Sequence, residues 1–339
     1  MYNFSLASID GISIHEVGNA ENGILNISAE PALLVEPVKE LLTKYFLKSF
    51  KEGMSFHFDI DNSNPVLEQT IDIFHNREQL HSSSKILAEE LLSSSQNPNI
   101  KTGEFFVVYF LNCQVEDSMV DAIGIFKSEN KDTYVKVFPE NDGFGLLSDH
   151  GININKLDKG VLVYNTQQED GFLVQVVDRT NQNQAKYWAD HFLKLKPRED
   201  SFHHTHQYMQ MCKDFVMEEM STENRGEQLG MISEAVNFFK ENDHFDKVEF
   251  QEQVIRQPEI IEAFEGYSKN YESENHLTSI DDFEISPQAV RFNKRFIRSV
   301  IKLDKNFHIY VHGNRDRIVK GFDDRKNMHY YKVFFEDEN

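Results

Sequence analysis

The sequence is poor in the residues that staple, anchor or activate a chain. Only two cysteines, Cys113 and Cys212, occur among 339 residues. They lie far apart, each in an apolar-patterned segment, which excludes a disulfide framework and suits two buried thiols in a reducing compartment. No stretch reaches the roughly 18 to 20 apolar residues that span a bilayer, and the opening MYNFSLASIDGISIHEV has no basic segment leading an apolar one. Neither export nor membrane spanning is expected. A single tryptophan stands against 28 phenylalanines, and a hydrophobic share of 40% marks a globular chain with material for a large core.

Catalytic signatures are missing as well. GxGxxG, GxxxxGK[ST], GxSxG and HExxH do not occur, so a P-loop nucleotidase, a nucleophile elbow and a zinc protease are excluded. Cys113 sits in an alternating strand where a thiol is poorly activated, and His15 and Glu16, adjacent on a strand, face opposite ways. His203, His204 and His206, with His191 and Cys212 not far away, form the one metal-like cluster. It lacks a second group at ligand spacing and reads as the polar start of a helix. Asp59, Asp61 and Ser63 resemble the opening of a calcium loop, but Asn64 and Thr70 stand where that loop needs Gly and Glu, so a strand-to-helix turn is expected. A binding protein without catalytic residues or cofactor follows. A metal-dependent enzyme is the third-ranked reading.

A positive balance is also absent overall, since the chain carries −21. The distribution is polarised, however. Between Arg291 and Lys332 there are twelve Lys and Arg against four Asp and Glu, whereas the remainder has 23 against 52.

The pattern along the chain predicts an α+β protein. Residues 1–197 read as a mixed helical and antiparallel-sheet domain. Ile12, Ile14 and GILNIS are early strands, Pro31 opens a helix through Phe46, and MSFHFDI alternates as a strand. Asn64 and Pro65 cap a second helix, and Ser82 to Ser84 start a third. EFFVVYFLNCQV, MVDAIGIFK, TYVKVFP, GVLVYN and GFLVQVVD then form a meander, with ENDGFG as a turn, and a helix over 185–195 closes the unit near Pro197. Residues 198–279 form a helical middle layer ending in a linker over 268–279. Residues 280–339 contain a helix opened by Ser286 and Pro287, running to about Leu303, followed by strands.

On that last helix, about 100° per residue gathers Arg291, Lys294, Arg295, Arg298, Lys302 and Lys305 into one stripe. Ala289, Phe292, Phe296, Ile297, Val300, Ile301 and Leu303 occupy the other side. Six cations on one face with an apolar back form an electrostatic footprint for phosphates, and Arg315, Arg317, Lys320, Arg325 and Lys326 extend it. Docking of this face on an acidic surface, within the chain or on a partner, is the competing use of the same charges.

Several segments in order resemble the bacterial 37-kilodalton nucleoid-associated protein family. They are IHEVGN (14–19), LNIS (25–28), YFLKSF (45–50), KLDKGVLVYN (156–165), YWADHFL (187–193), IKLDKNFHIYV (301–311) and HYYKVFF (329–335). The resemblance implies a cytoplasmic bacterial protein found with the nucleoid and supplies no catalytic residues. The leading expectation is non-sequence-specific DNA binding through the basic segment. The alternative is a scaffold that recruits other nucleoid proteins, and a homo-oligomer is within the expected range.

Overall fold

The structure is a computed structural model that describes residues 2–50, 53–179, 187–220, 225–275, 277–294, 300–303, 307–310 and 318–336. The chain divides into two units, Met1–Arg198 and Glu199–Asn339.

In the first unit, alternation in one strand sets the layering. Along β5 (Gly103–Val115), Phe105, Val107 and Tyr109 enter one hydrophobic core while Phe106, Val108 and Phe110 enter another. A strand with both faces buried is the centre of a three-layer structure. The remaining strands are β1 (Tyr2–Asn3), β2 (Ser8–Val17), β3 (Leu25–Asn26), β4 (Phe56–Phe58), β6 (Ser118–Ser128), β7 (Lys131–Glu140), β8 (Gly143–Ile152), β9 (Lys159–Tyr164), β10 (Leu173–Asp178) and β11 (Leu195–Pro197). Eight of these join β5 in one nine-stranded sheet in the order β11-β4-β10-β9-β6-β5-β2-β3, with β1 also on β5. Its pairings are antiparallel. Helix α1 (Glu36–Leu47) contributes Tyr45, Phe46 and Leu47 to the core on one face. Helices α2 (Pro65–His75) and α3 (Leu80–Ser94) supply Val66, Ile73, Leu87 and Leu91 to the other.

Side-chain caps and crosslinks hold these layers. Asn64 Oδ1 accepts from the Val66 and Leu67 amides, and its Nδ2 donates to the Leu193 carbonyl at 3.0 Å. His15 Nδ1 accepts from the Ser28 amide, so its Nε2–H donates to Ser84 Oγ at 2.8 Å and joins β2 to α3. Burial, with the nearby His81 and Lys85 charges, lowers the His15 pKa to about 4. Asp59 and Asp61 both pair with Lys196.

Several sequence expectations need correction here. The first helix begins at Glu36 rather than Pro31. The Ala32 amide donates to the Ile12 carbonyl, holding that segment beside β2, and Pro37 occupies the first turn, where a missing N–H costs nothing. TYVKVFP leaves the meander: β7 pairs with β8, a strand unforeseen because Gly, Ser and Asp dilute its alternation, and β9 takes the place beside β6. The helix expected over 185–195 is a π-helical turn, Tyr187–Phe192, followed by β11.

The second unit is organised by aromatic rings. Helices α4 (Ser201–Glu218), α5 (Arg225–Glu241), α6 (Lys247–Phe250) and α7 (Pro258–Glu274) surround strands β12 (His244–Asp246) and β13 (Asp282–Glu284). Phe245 stacks on Phe239 with centroids at 5.5 Å and on Phe283 at 4.6 Å, and Phe215 meets Phe264 edge-on at 5.1 Å. Rings packed this way gain beyond their area burial. The expected linker over 268–279 begins instead as α7: Phe264, Tyr267, Ser268 and Tyr271 recur at helical spacing, Ser268 is buried, and Tyr267 stacks on Tyr271. Helix α8 (Pro287–Lys294) follows, then strand pairs β14 (Val300–Leu303) with β15 (Phe307–Tyr310) and β16 (Ile318–Asp323) with β17 (Met328–Val333).

Candidate nucleic-acid interface

Helix α8 starts where local chemistry dictates. Ser286 Oγ accepts from the Ala289 amide, and Pro287 occupies the first helical position, where its fixed φ fits. Ala289, Val290 and Asn293 are buried while Arg291 is exposed. Asn293 anchors the helix to α4: its Oδ1 accepts from Gln210 Nε2 at 3.0 Å and meets His206 Nδ1 at 3.0 Å, and its Nδ2 donates to the Ala289 carbonyl. Phe292 packs edge-on against Phe202 and His206. The anchor was not foreseen; a polar residue at helical spacing from Ala289 was the available signal.

The basic residues fall on several elements. Arg291 and Lys294 belong to α8. Lys302 lies on β14, opposite His308, so the continuous helix to Leu303 is corrected: the VIKL segment pairs with FHIY as a hairpin, which suits its β-branched residues. Lys320 lies on β16 opposite Tyr331. Arg325 and Lys326 are exposed in the β16–β17 turn, where Asp323 Oδ1 accepts from both of their amides. Asp323 and Asp324 balance their charge locally. Arg295, Arg298, Lys305, Arg315 and Arg317 lie outside the described residues.

The histidine cluster is part of α4. His203 is buried, its pKa lowered chiefly by burial, and its Nδ1 has no hydrogen-bond partner among the described residues. His204 lies against Phe283 and His206 against Asn293. Among the described residues, no group of three or more His, Cys, Asp or Glu is placed to hold a metal. Cys113 and Cys212 are free and buried, and burial pushes the Cys113 thiol up to about 12.

A second polar constellation, also unforeseen, lies within the first unit. Lys127 of β6 and Lys159 of β9 are cross-strand partners, both almost fully buried. Lys127 Nζ is 3.3 Å from Glu129, and Lys159 Nζ donates to Asp178 at 3.1 Å. Tyr187 of the π-helical turn donates to Glu129 Oε1 at 3.1 Å, and Lys159 lies over its ring at 5.3 Å. Burial holds the Lys127 ammonium below the ordinary lysine value, against the opposing pull of Glu129. Two cations and two carboxylates compensate one another here, fastening the π-helical turn to the sheet. Ile123, Ile125 and Lys127 alternate onto the core face, which was the legible signal.

Among the described residues, no helix is long and apolar enough to cross a membrane. The family model described as nucleoid-associated protein YejK matches residues 13–328, nearly the whole chain. No curated protein matches it.

Proposed function

This chain belongs to the nucleoid-associated protein YejK family, and we propose that it holds DNA through the basic segment between Arg291 and Lys332. The observation that carries this reading is the charge polarity, twelve cationic against four anionic residues in that segment on a chain of −21. Cations grouped in this way meet phosphates without reading bases, which predicts binding with little sequence preference and strong salt dependence. The acidic remainder repels DNA, so contact is confined to one end of the sequence. Arg291, exposed on a helix that Asn293 anchors to α4, is the best-supported single contact. The acidic remainder is then available to other nucleoid proteins.

The test is the triple variant Arg295→Glu, Arg298→Glu and Lys302→Glu in a DNA-binding titration from about 50 to 200 mM salt. Affinity should fall, and the slope of log affinity against log salt should become shallower by about 3, near 0.9 per lost phosphate contact. Unchanged affinity and slope overturn the reading.

A further inference from the structure

We propose that the β7–β8 hairpin is a dimerisation arm, through which two copies of this chain pair by one apolar face.

The hairpin is long, pre-formed and firmly rooted. Ten residue pairs run from Lys131↔Ile152 to Glu140↔Gly143, and neither strand pairs with any other among the described residues. Asn141, at φ 50, places a left-handed residue in the two-residue tip, as a hairpin turn matched to strand twist requires. At the root, the buried Asp158 carboxylate accepts from the Glu129 and Asn130 amides and from Asn130 Nδ2. Lys131 pairs with Glu104, and Asn153 donates to Asp132.

The two faces differ. On one, aromatic rings cover glycines of the neighbouring strand: Phe138 lies over Gly145 directly opposite, and Tyr134 lies over Gly151 on the diagonal. That face also carries Asp132, Lys136, Glu140 and Asp149 around the exposed Leu147, so charge interrupts it along its length. The other presents Val135, Val137, Phe144 and Leu146, with relative exposures of 64%, 59%, 79% and 74%. Pro139 stands opposite Phe144, and no charge interrupts the face between Val135 and the tip. A two-stranded hairpin is marginal in water unless a face is covered.

The partner that fits is a second copy. From Val135 to the tip this face carries no charge, the one cation at its root, Lys131, being held by Glu104. That outer stretch offers nothing for an acidic or basic partner to complement, but it matches itself about a two-fold axis, as a self-complementary interface requires. The four apolar side chains leave roughly 500 Å² exposed per copy, at the upper end of what monomers show. Two such faces together reach about 1,000 Å², the lower limit for a specific interface. Ten residues of strand extend about 34 Å, enough to make the contact at the arms while the two acidic bodies stay apart. An interface at that lower limit leaves little surplus over the cost of association and gives a weak, concentration-dependent dimer.

The test is light scattering of the nuclease-treated full chain across concentrations. The mass should rise from the 39.6 kDa monomer towards twice that value, and it should hold at about 0.5 M salt because apolar contact is not screened. Val137→Glu with Leu146→Glu should remain monomeric with an unchanged circular dichroism spectrum, while Lys136→Glu on the opposite face should still dimerise. In a chain whose own cysteines are both buried, Leu146→Cys should be cross-linked into dimers by a short bis-maleimide, and Lys136→Cys should not. Four results overturn the proposal: a wild-type monomer at about 100 µM, a dimer dispersed by salt, a double variant that dimerises like the wild type, or equal cross-linking at the two positions. None of them bears on the DNA contact.

Discussion

Lys127 and Lys159 stand directly opposite each other on β6 and β9, two lysines in register inside the first unit. Like charges so placed repel, and Glu129 and Asp178 offset them. Lys127→Met should therefore destabilise the fold by about 2 to 4 kcal/mol, because Glu129 loses its buried counter-charge. Adding Glu129→Gln should recover most of that loss, and urea unfolding of the three proteins reads the order. The pH dependence has a definite sign. The folded-state pKa of Lys127 lies below its ordinary 10.5, so the unfolded chain binds more protons between the two values. Stability of the wild type relative to Lys127→Met should rise with pH through the alkaline range up to 10.5.

His15 makes the opposite end of the pH scale informative. Its pKa is about 4 in the fold against 6.5 ordinarily, so its contribution is complete above 6.5 and declines as pH falls towards 4. The difference corresponds to about 3 kcal/mol. Thermal melts between pH 4 and 7 should show this loss in the wild type and a flatter profile in His15→Gln.

Asn293→Leu should destabilise the second unit by about 2 to 3 kcal/mol, since it leaves the His206 and Gln210 side chains without their shared acceptor in a part-buried site. Asn293→Asp, which keeps the acceptor, should retain more of the stability. Chemical unfolding followed by circular dichroism distinguishes the two.

Asp324→Asn should strengthen DNA binding a few-fold at low salt, with the gain fading as salt rises. Asp324 is exposed beside Arg325 and Lys326, and removing its charge leaves the turn net positive without touching the Asp323 cap. Equal affinity for the variant and the wild type across salt would remove this turn from the interface.

What could be read from the residues was the local chemistry. Asn64 before Pro65 and Ser286 before Pro287 mark helix starts because a cap and its amides lie within three residues of one another, and the unbroken apolar run from Phe105 to Leu111 marks β5 as a strand buried on both faces. The errors share a different origin. Lys302 looked helical because its partner strand, Phe307–Tyr310, is what makes it extended. Gly143–Ile152 looked like a turn and its sequel because its pairing with β7 supplies the regularity that its composition lacks. The start of the expected linker is helical because Tyr267 and Tyr271 stack, a contact hidden among polar neighbours. The Lys127 and Lys159 row depends on which strands become neighbours, and single strands do not reveal that.

The order of strands in the first unit has a consequence for synthesis. Strand β2 ends at Val17, yet its main partner, β5, begins at Gly103, and β4 waits for β10 and β11 beyond residue 170. A chain emerging from the ribosome at about 5 to 20 residues per second carries β2 with an open edge for several seconds. Closing so long a loop is also slow by itself. The nascent chain therefore has a window in which Ile9, Ile12 and Val17 have no sheet to enter, and holding that segment soluble falls to its polar neighbours and to whatever receives it at the tunnel exit.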